Sequence, residues 1–268
     1  MVSKDTFSIH ECVNCKTRRL DPFPDNLESF YESEQYRDDY NLSHDYERIS
    51  AMHLDLRLKL LKRLELARLA GKTVVDFGCA EGGLLNLISA TAQKTIGVEP
   101  AAYFHPYLKR KGHEVYSYGR DLVETGQKAD IALSFSVIEH VQNPLDFVRE
   151  MKATIVDGGR VVISTPNAHD ILDQLVPEAF RPFNYRTAHL YYFTAESLGF
   201  LLRAAGFRRI SVGYLHLYDL SNLLAWYKEE KPTGLGRIPL FDERINAPLR
   251  AYLEDTGRAS DIWAQAVK

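Results

Sequence analysis

Thr73-Val-Val-Asp-Phe-Gly-Cys-Ala-Glu-Gly-Gly83, followed by Thr95-Ile-Gly-Val-Glu-Pro100, constrains the fold more than any other part of the chain. A short β-branched run ends in the acid Asp76, breaks into a glycine-containing turn and opens into an apolar-periodic helix. A second apolar strand then ends in Glu99. Ligands of open α/β sheets sit outside the carboxyl ends of the strands, where the strand order reverses. Gly78 has the backbone freedom a tight turn demands, and Gly82 and Gly83 let the chain approach a ligand closely. The next helix adds amide donors and the positive end of its dipole. The layout is that of a nucleoside-type site, with Glu99 in position to accept hydrogen bonds from two ribose hydroxyls.

Around this stretch, strand and helix patterns alternate from Gly71 onward. Strands are expected at about 72–77, 94–99, 114–118, 129–135 and 159–165, with helices near 82–91, 101–111 and 143–154 between them. Such alternation implies βαβ units, a parallel sheet and right-handed crossovers. Thr165-Pro-Asn167 starts a long connection, 167–193, rich in aromatic and polar residues; connections of that length tend to be lids or binding loops. A helix from Thr194 to Gly206, a sixth strand at about 208–215 and a seventh over Asp261–Val267 follow, with a mixed insertion, 217–258, between those two strands. That insertion holds a helix near 245–255. Upstream, residues 1–24 read as irregular, and Asp25–Ala70 holds neither Gly nor Pro, which favours helices. Ile49–Leu69 alternates leucines like a strand, but its length and its helix formers decide for a helix ending at Gly71. The expected division is an N-terminal helical cap over 1–48 and a main domain over 49–268.

Charge and cysteine usage narrow the function. With 33 basic and 36 acidic residues and no long run of either sign, nothing marks a nucleic-acid or anionic-membrane footprint. No apolar run reaches the roughly 18–20 residues that span a bilayer, and the N-terminus lacks the apolar core of a secretion signal. Three cysteines make no disulfide framework, so a cytoplasmic setting is expected.

Two ligands share the logic of the glycine turn. Gly78-Cys-Ala-Glu-Gly-Gly83 also fits a dinucleotide fingerprint, with an acid about 20 residues on. Asp76 favours the other choice: a carboxylate there repels a pyrophosphate and suits a cationic amino-acid head group. Asp76-Phe-Gly-Cys-Ala-Glu-Gly82 resembles motif I of class I S-adenosylmethionine-dependent methyltransferases, and Gly97-Val-Glu-Pro100 resembles their second motif, whose acid holds the ribose. Asp130-Ile-Ala-Leu-Ser-Phe-Ser-Val-Ile-Glu-His-Val-Gln-Asn-Pro144 is similar to their fourth strand and to the Glu-His-x-x-x-Pro signature of the ubiquinone-biosynthesis O-methyltransferase type. Asp157–Asn167, His189–Leu198 and Ala205-Gly-Phe207 resemble the later motifs of the same branch, so the likeness covers about residues 70–215. Ala80 departs from the pattern, since many relatives carry Gly there.

The resemblance implies a Rossmann-like α/β fold: a seven-stranded, mostly parallel sheet with its last strand antiparallel, helices on both faces, an N-terminal cap and a C-terminal insertion. It implies S-adenosyl-L-methionine as cofactor, leaving as S-adenosyl-L-homocysteine, and a cofactor site of Asp76, Gly78, Cys79, Ala80, Gly82, Glu99 and Pro100. Asp121 and Leu122 would face adenine, Phe135 and Ser136 would line the fourth strand end, and Tyr36 of the cap (with Tyr31 and Tyr40) would close over the methionine end. The expected acceptor is a small or carrier-linked metabolite, a sugar of a surface glycan or natural product first, then a quinone or phenol, or an amine for N-methylation. A dinucleotide-dependent oxidoreductase and a non-catalytic cofactor-binding scaffold stay open beside these.

A hydroxyl acceptor benefits from a base, whereas an amine need only arrive neutral. His140 and His189 are the candidate bases, with a structural role for His140 in shaping the turn to Pro144 as its alternative. Glu139 could orient the acceptor or bind a divalent ion, but no second ligand is visible and no metal is expected. Tyr185, Arg186 and Tyr192 are the candidate acceptor contacts, or else part of a packed loop. Cys12-Val-Asn-Cys15 is similar to the second half of the zinc knuckle that opens some sugar methyltransferases. Its first pair is absent, His10 would be a third ligand at most, and zinc wants four; a metal-free remnant is the expectation.

Overall fold

β-Branched and apolar runs become strands where the sequence places them. The computed structural model describes residues 7–24, 32–33, 45–52, 54–63, 66–231 and 238–268. The main sheet contains β3 (Thr73–Phe77), β4 (Lys94–Val98), β5 (Glu114–Tyr116), β6 (Ala129–Phe135), β7 (Ile155–Pro166), β9 (Arg208–Leu215) and β10 (Asp261–Val267). Its order is β5-β4-β3-β6-β7-β10-β9. The first five strands pair in parallel, and β10 runs antiparallel to both β7 and β9. The fold is therefore the expected α/β, Rossmann-like, mostly parallel seven-stranded sheet. Its order reverses between β3 and β6, and that crevice is the ligand position for this topology.

Helices fill both faces, so the inner strands are buried almost end to end. Successive side chains point to opposite faces: Val75, Ala132 and Val161 enter one core cluster, and Val74, Leu133 and Val162 the other. The crossover helices start at caps that the sequence supplies. Asn143 accepts the Asp146 amide ahead of Pro144–Ala153, and Thr194 forms a capping box with Ser197 ahead of Ala195–Ala204. Upstream of β3, Tyr46–Met52 and Leu54–Arg63 are helical and Leu66–Leu69 forms a 3-10 turn. Among the described residues no helix is long and apolar enough to cross a membrane.

Two regions differ from the expectation. Residues 1–24 are not irregular throughout: β1 (Ser8–Glu11) and β2 (Arg18–Asp21) form an antiparallel hairpin, and β8 (Tyr191–Tyr192) adds to it as a third strand. The two runs, Ser-Ile-His-Glu and Arg-Arg-Leu-Asp, are short and mostly polar, and only Leu20 is fully buried, its amide held by the Leu190 carbonyl at 2.9 Å. The 167–193 connection likewise carries two short helices, Leu172–Leu175 and Pro177–Asn184. Phe180 of the second packs on Trp226 in the helix Leu220–Glu229 of the 217–258 segment, which also holds Glu243–Asp255. Half of the expected cap over 1–48, with Tyr31, Tyr36 and Tyr40, lies outside the described residues.

Candidate active site

β3 delivers Asp76, 4 % exposed, to the crevice, and the chain turns at Gly78. Gly78 has φ +73°, donates its amide to the Val98 carbonyl at 2.7 Å, and leaves no room for a side chain: a Cβ would lie 2.4 Å from Val137 Cγ2. Ala80 follows at φ +47°, a left-handed conformation that glycine adopts without strain. The amide of Ala80 and that of Ala101 converge on Glu99, at 2.8 Å from Oε2 and 2.9 Å from Oε1. One carboxylate therefore ties the β3 turn to the β4 turn, and each of its oxygens keeps a further lone pair. Cys79 is buried beneath the loop against Gly97, and Pro100 is half-buried beside Glu99.

Charge is the unusual property of this loop. Glu81 is fully buried; its Oε1 accepts from Arg57 Nη2 at 2.6 Å and from Ser50 Oγ at 3.2 Å, while Oε2 has no hydrogen-bond partner among the described residues. The Arg57 guanidinium lies on Gly83, where its Nη1 would be 1.9 Å from a Cβ. Burial lifts the Asp76 carboxyl to about 8, with Arg57 opposing and Glu81 and Glu99 reinforcing. Burial lifts Glu99 to about 7 against the two amides that favour its ionised form. Glu81 and Asp76 thus share one guanidinium, with Glu99 held by backbone amides beside them, in a region almost sealed from water. Isolated buried charges cost several kcal/mol each after relaxation, and burial accordingly holds Asp76 and Glu99 toward their protonated forms.

The other residues expected near the cofactor are placed as follows. Asp121 Oδ2 accepts the Tyr118 amide at 3.0 Å as the third residue of the helix Gly119–Glu124, and Leu122 is fully buried in the core. Phe135 packs against the second core cluster, and Ser136, at φ +55°, donates its amide to Ser164.

A second polar cluster lies over the carboxyl ends of β6, β7 and β10. Glu139, 2 % exposed, accepts from Thr165 Oγ1 at 2.9 Å, and its carbonyl accepts the Leu190 amide at 2.7 Å. Burial raises its carboxyl to about 7. His140 Nδ1 is 2.5 Å from the Ala188 carbonyl, which can only accept; Nδ1 therefore carries the proton and Nε2 the lone pair. His189 has the opposite arrangement. Its Nε2 is 3.0 Å from Arg186 Nη2 and must accept from it, which leaves Nδ1–H buried with no partner among the described residues. Burial lowers His140 to about 4 and His189 to about 2, in the latter case with help from His140 and Arg186. The two rings meet edge to face at 4.9 Å. Glu139, His140 and His189 offer ligand atoms within 4.8 Å of one another, but the adjoining guanidinium repels a metal ion.

Tyr185, Arg186 and Tyr192 come together as one unit: the tyrosine rings are perpendicular at 4.7 Å, and Tyr192 Oη accepts the Arg186 amide at 3.1 Å. Arg18 of β2 donates to Tyr185 Oη at 2.8 Å and to the Ala168 carbonyl at 2.9 Å, so the hairpin clamps this connection. Several site residues escaped sequence reasoning. Glu81 lies inside the recognised loop but at a position its pattern leaves variable. Arg57 reaches the loop from a helix 24 residues upstream, which no local signal announces. Asp261 faces Pro166 only through antiparallel register. It is raised to about 7 by burial, opposed by Ser260 and reinforced by Asp170, which burial itself lifts to about 6.

Comparison with known proteins places the fold. A methyltransferase-domain family matches residues 45–212. A probable S-adenosylmethionine-dependent methyltransferase of Mycolicibacterium smegmatis is 29% identical over 160 residues, 58% of this chain and 60% of its own. A ubiquinone biosynthesis O-methyltransferase of Ruegeria pomeroyi is 29% identical over 154 residues, covering 51% and 60%. A tRNA U34 carboxymethyltransferase of Marinobacter nauticus is 32% identical over 109 residues, covering 37% and 33%. The chain thus spans between a third and about 60% of these curated relatives. Among solved structures, a possible histamine N-methyltransferase of Thermotoga maritima superposes with a TM-score of 0.58 at 18% identity, over 91% of this chain and all of that one. A methyltransferase of Archaeoglobus fulgidus gives 0.56 at 17% identity, over 87% and 98%. At those identities the likeness is one of fold.

Proposed function

The chain belongs to the methyltransferase-domain family, and from that premise we propose that it transfers the methyl group of S-adenosyl-L-methionine to a small or carrier-linked metabolite. The observation that carries this reading is the charge of the glycine loop. Asp76, Glu81 and Glu99 surround it with Arg57 as the cation that pairs there. A ligand with an ammonium and a sulfonium and no phosphate supplies the charge those carboxyls need; a dinucleotide pyrophosphate adds to the repulsion. Glu99 is suited to the ribose hydroxyls through its remaining lone pairs, Asp76 and the open oxygen of Glu81 to the ammonium, and Arg57 to the carboxylate. Asp121, half-buried at the start of its helix, would face the adenine, whereas Leu122 is enclosed in the core. The cofactor supplies an activated methyl group, and the protein supplies alignment and desolvation.

The acceptor belongs over β6 and β7, beneath the 167–193 connection. There His140 presents Nε2 as a base, with its other nitrogen anchored on Ala188, and can take the proton of an attacking hydroxyl. His189, whose Nε2 is engaged by Arg186, acts as a donor to the acceptor through Nδ1–H. Tyr185, Arg186 and Tyr192 would flank a sugar or an aromatic ring. A sugar of a surface glycan or natural product is the favoured acceptor, followed by a phenol or quinone, and a cytoplasmic location suits either. One observation favours a second reading, an amine acceptor: Glu139, Asp170 and Asp261 gather carboxyls at this end, each raised by burial.

Equilibrium binding of radiolabelled S-adenosylmethionine tests the cofactor. Binding that NAD(P) does not displace is expected, and Glu99→Ala should weaken it tenfold or more, about the value of a lost charge-assisted hydrogen bond. Unchanged affinity in that variant would overturn the ribose assignment. Methyl-transfer assays on matched hydroxy and amino sugars then separate the two acceptor readings.

A further inference from the structure

The chemistry at the tip of the β1–β2 hairpin is not used by methyl transfer. Cys12 and Cys15 are both free thiols, the first exposed and the second half-buried. The turn that holds them is fixed: the Cys12 amide donates to the Thr17 carbonyl at 2.9 Å, the Lys16 amide donates to the Cys12 carbonyl at 3.0 Å, and Lys16 closes the turn at φ +62°. Both thiols therefore sit on one closed turn at the tip of the hairpin, three residues apart. The Cys15 sulfur in turn contacts Thr17 Oγ1 at 3.2 Å. This arrangement has an exposed thiol and a half-buried one held on the same fixed turn. An attacking thiol and a resolving thiol need that division of labour.

We propose that Cys12 and Cys15 form a reversible dithiol–disulfide couple that exchanges with low-molecular-weight disulfides of the glutathione class and reports its state to the acceptor lid through β2. Cys12, as thiolate, attacks one sulfur of glutathione disulfide; the S–S bond breaks and one glutathione thiolate leaves and takes up a proton. Cys15, having lost its proton to solvent, attacks the Cys12 sulfur and expels the second glutathione. The two protein thiols lose two electrons and two protons, and one glutathione disulfide becomes two glutathiones. Hydrogen bonding within the turn, from the Cys15 and Asn14 backbone first, holds the Cys12 thiol below the ordinary range, with the nearby Lys16 charge adding to this. The route to the lid is short. Arg18, three residues beyond Cys15, donates to Tyr185 and Ala168, and Arg18 and Arg19 pair with Tyr192 and Tyr191.

The test equilibrates the reduced full-length chain in glutathione buffers and follows it by intact mass and peptide mapping. Loss of two hydrogens from the 12–15 peptide is expected, with buried Cys79 unchanged. Cys15→Ser should stop at a glutathione adduct on Cys12, and Cys12→Ser, which leaves only the half-buried thiol, should react more slowly and form no intramolecular disulfide. Hydrogen exchange of the 185–193 amides should slow by about twofold or more on oxidation, as the tightened turn raises the cost of local opening. The proposal is overturned if the disulfide forms no faster in the folded chain than in urea, or if lid exchange is the same in both redox states. Zinc retained on the two sulfurs after purification would overturn it as well, because a metal would block the exchange.

Discussion

Ala80 shows at the scale of one residue why the glycine loop departs from its pattern. Its φ of +47° costs an alanine about 1–2 kcal/mol relative to the right-handed region, and a glycine there would cost about 0.4–1 kcal/mol through the unfolded chain. Ala80→Gly should therefore stabilise the protein by about 0.5–1 kcal/mol in urea unfolding while leaving cofactor affinity intact. Sequence alone exposed the substitution, but its cost follows only from the dihedral angle. The same holds for the histidines: both were legible as candidates, and hydrogen bonds separate them. His140→Ala should lower kcat by about 100-fold or more, in the range of a lost general base, with the dissociation constant for S-adenosylmethionine unchanged. His189→Ala should reduce turnover less, because its Nε2 already accepts from Arg186; an equal loss in both would assign the proton transfer differently. Asp76 yields a third expectation. Its carboxyl, raised to about 8 by burial, is largely protonated at pH 7, and a cationic ligand favours the ionised form. Binding should then release protons, seen as an enthalpy that differs between phosphate and Tris buffers, and Asp76→Asn should remove most of that difference.

At the scale of elements, the inner strands β3, β4 and β6 were legible because each is a short, largely apolar run between turn-forming residues. The pairing in β3 and β4 buries both faces, so the signal is hydrophobicity and needs no partner to be seen. The small sheet gives no such signal. β1 and β2 are four residues each and β8 only two, and beyond their own ladder they are held by contacts 150 residues or more away in sequence. Arg18 concentrates those contacts, donating to Ala168 and Tyr185 with Asp173 at 3.9 Å. Arg18→Ala leaves the Ala168 carbonyl and the tyrosine without their donor and should cost about 1–2 kcal/mol of local stability. Proteolysis in the 167–193 connection should become faster and the acceptor KM should rise, while S-adenosylmethionine binding, which depends on β3 and β4, stays as it was. If cofactor affinity fell in parallel, the hairpin would be supporting the whole carboxyl edge and not the lid alone.

Across the whole molecule the carboxyl edge of the sheet is an array of buried acids: Asp76 and Glu99 at β3 and β4, Glu139 after β6, and Asp261 at the start of β10. Burial raises all four, Asp76 to about 8 and the others to about 7. In the unfolded chain these groups ionise near their ordinary values, around pH 4. Between those limits the folded state holds more protons than the unfolded state, so its stability falls as pH rises through the folded values. His140, His189 and His216, all lowered by burial, work in the opposite sense, but only below about pH 6.5, where unfolded histidine gains its proton. Above that pH the histidines are neutral in both states and the acids decide the slope. The melting temperature of the ligand-free chain should therefore drop between pH 6.5 and 8.5. Asp76 alone should account for a loss on the order of 2 kcal/mol over that interval, at 1.36 kcal/mol per pH unit up to its folded value. Asp76→Asn should flatten the profile by that amount. Saturating S-adenosylmethionine should do the same from the other direction, since a bound ammonium and sulfonium stabilise the ionised carboxyls, and the ligand-induced rise in melting temperature should grow with pH. A ligand-free melting temperature that stays level or climbs from pH 6.5 to 8.5 would show that these carboxyls are already ionised in the folded chain, and cofactor binding would then release no protons from them.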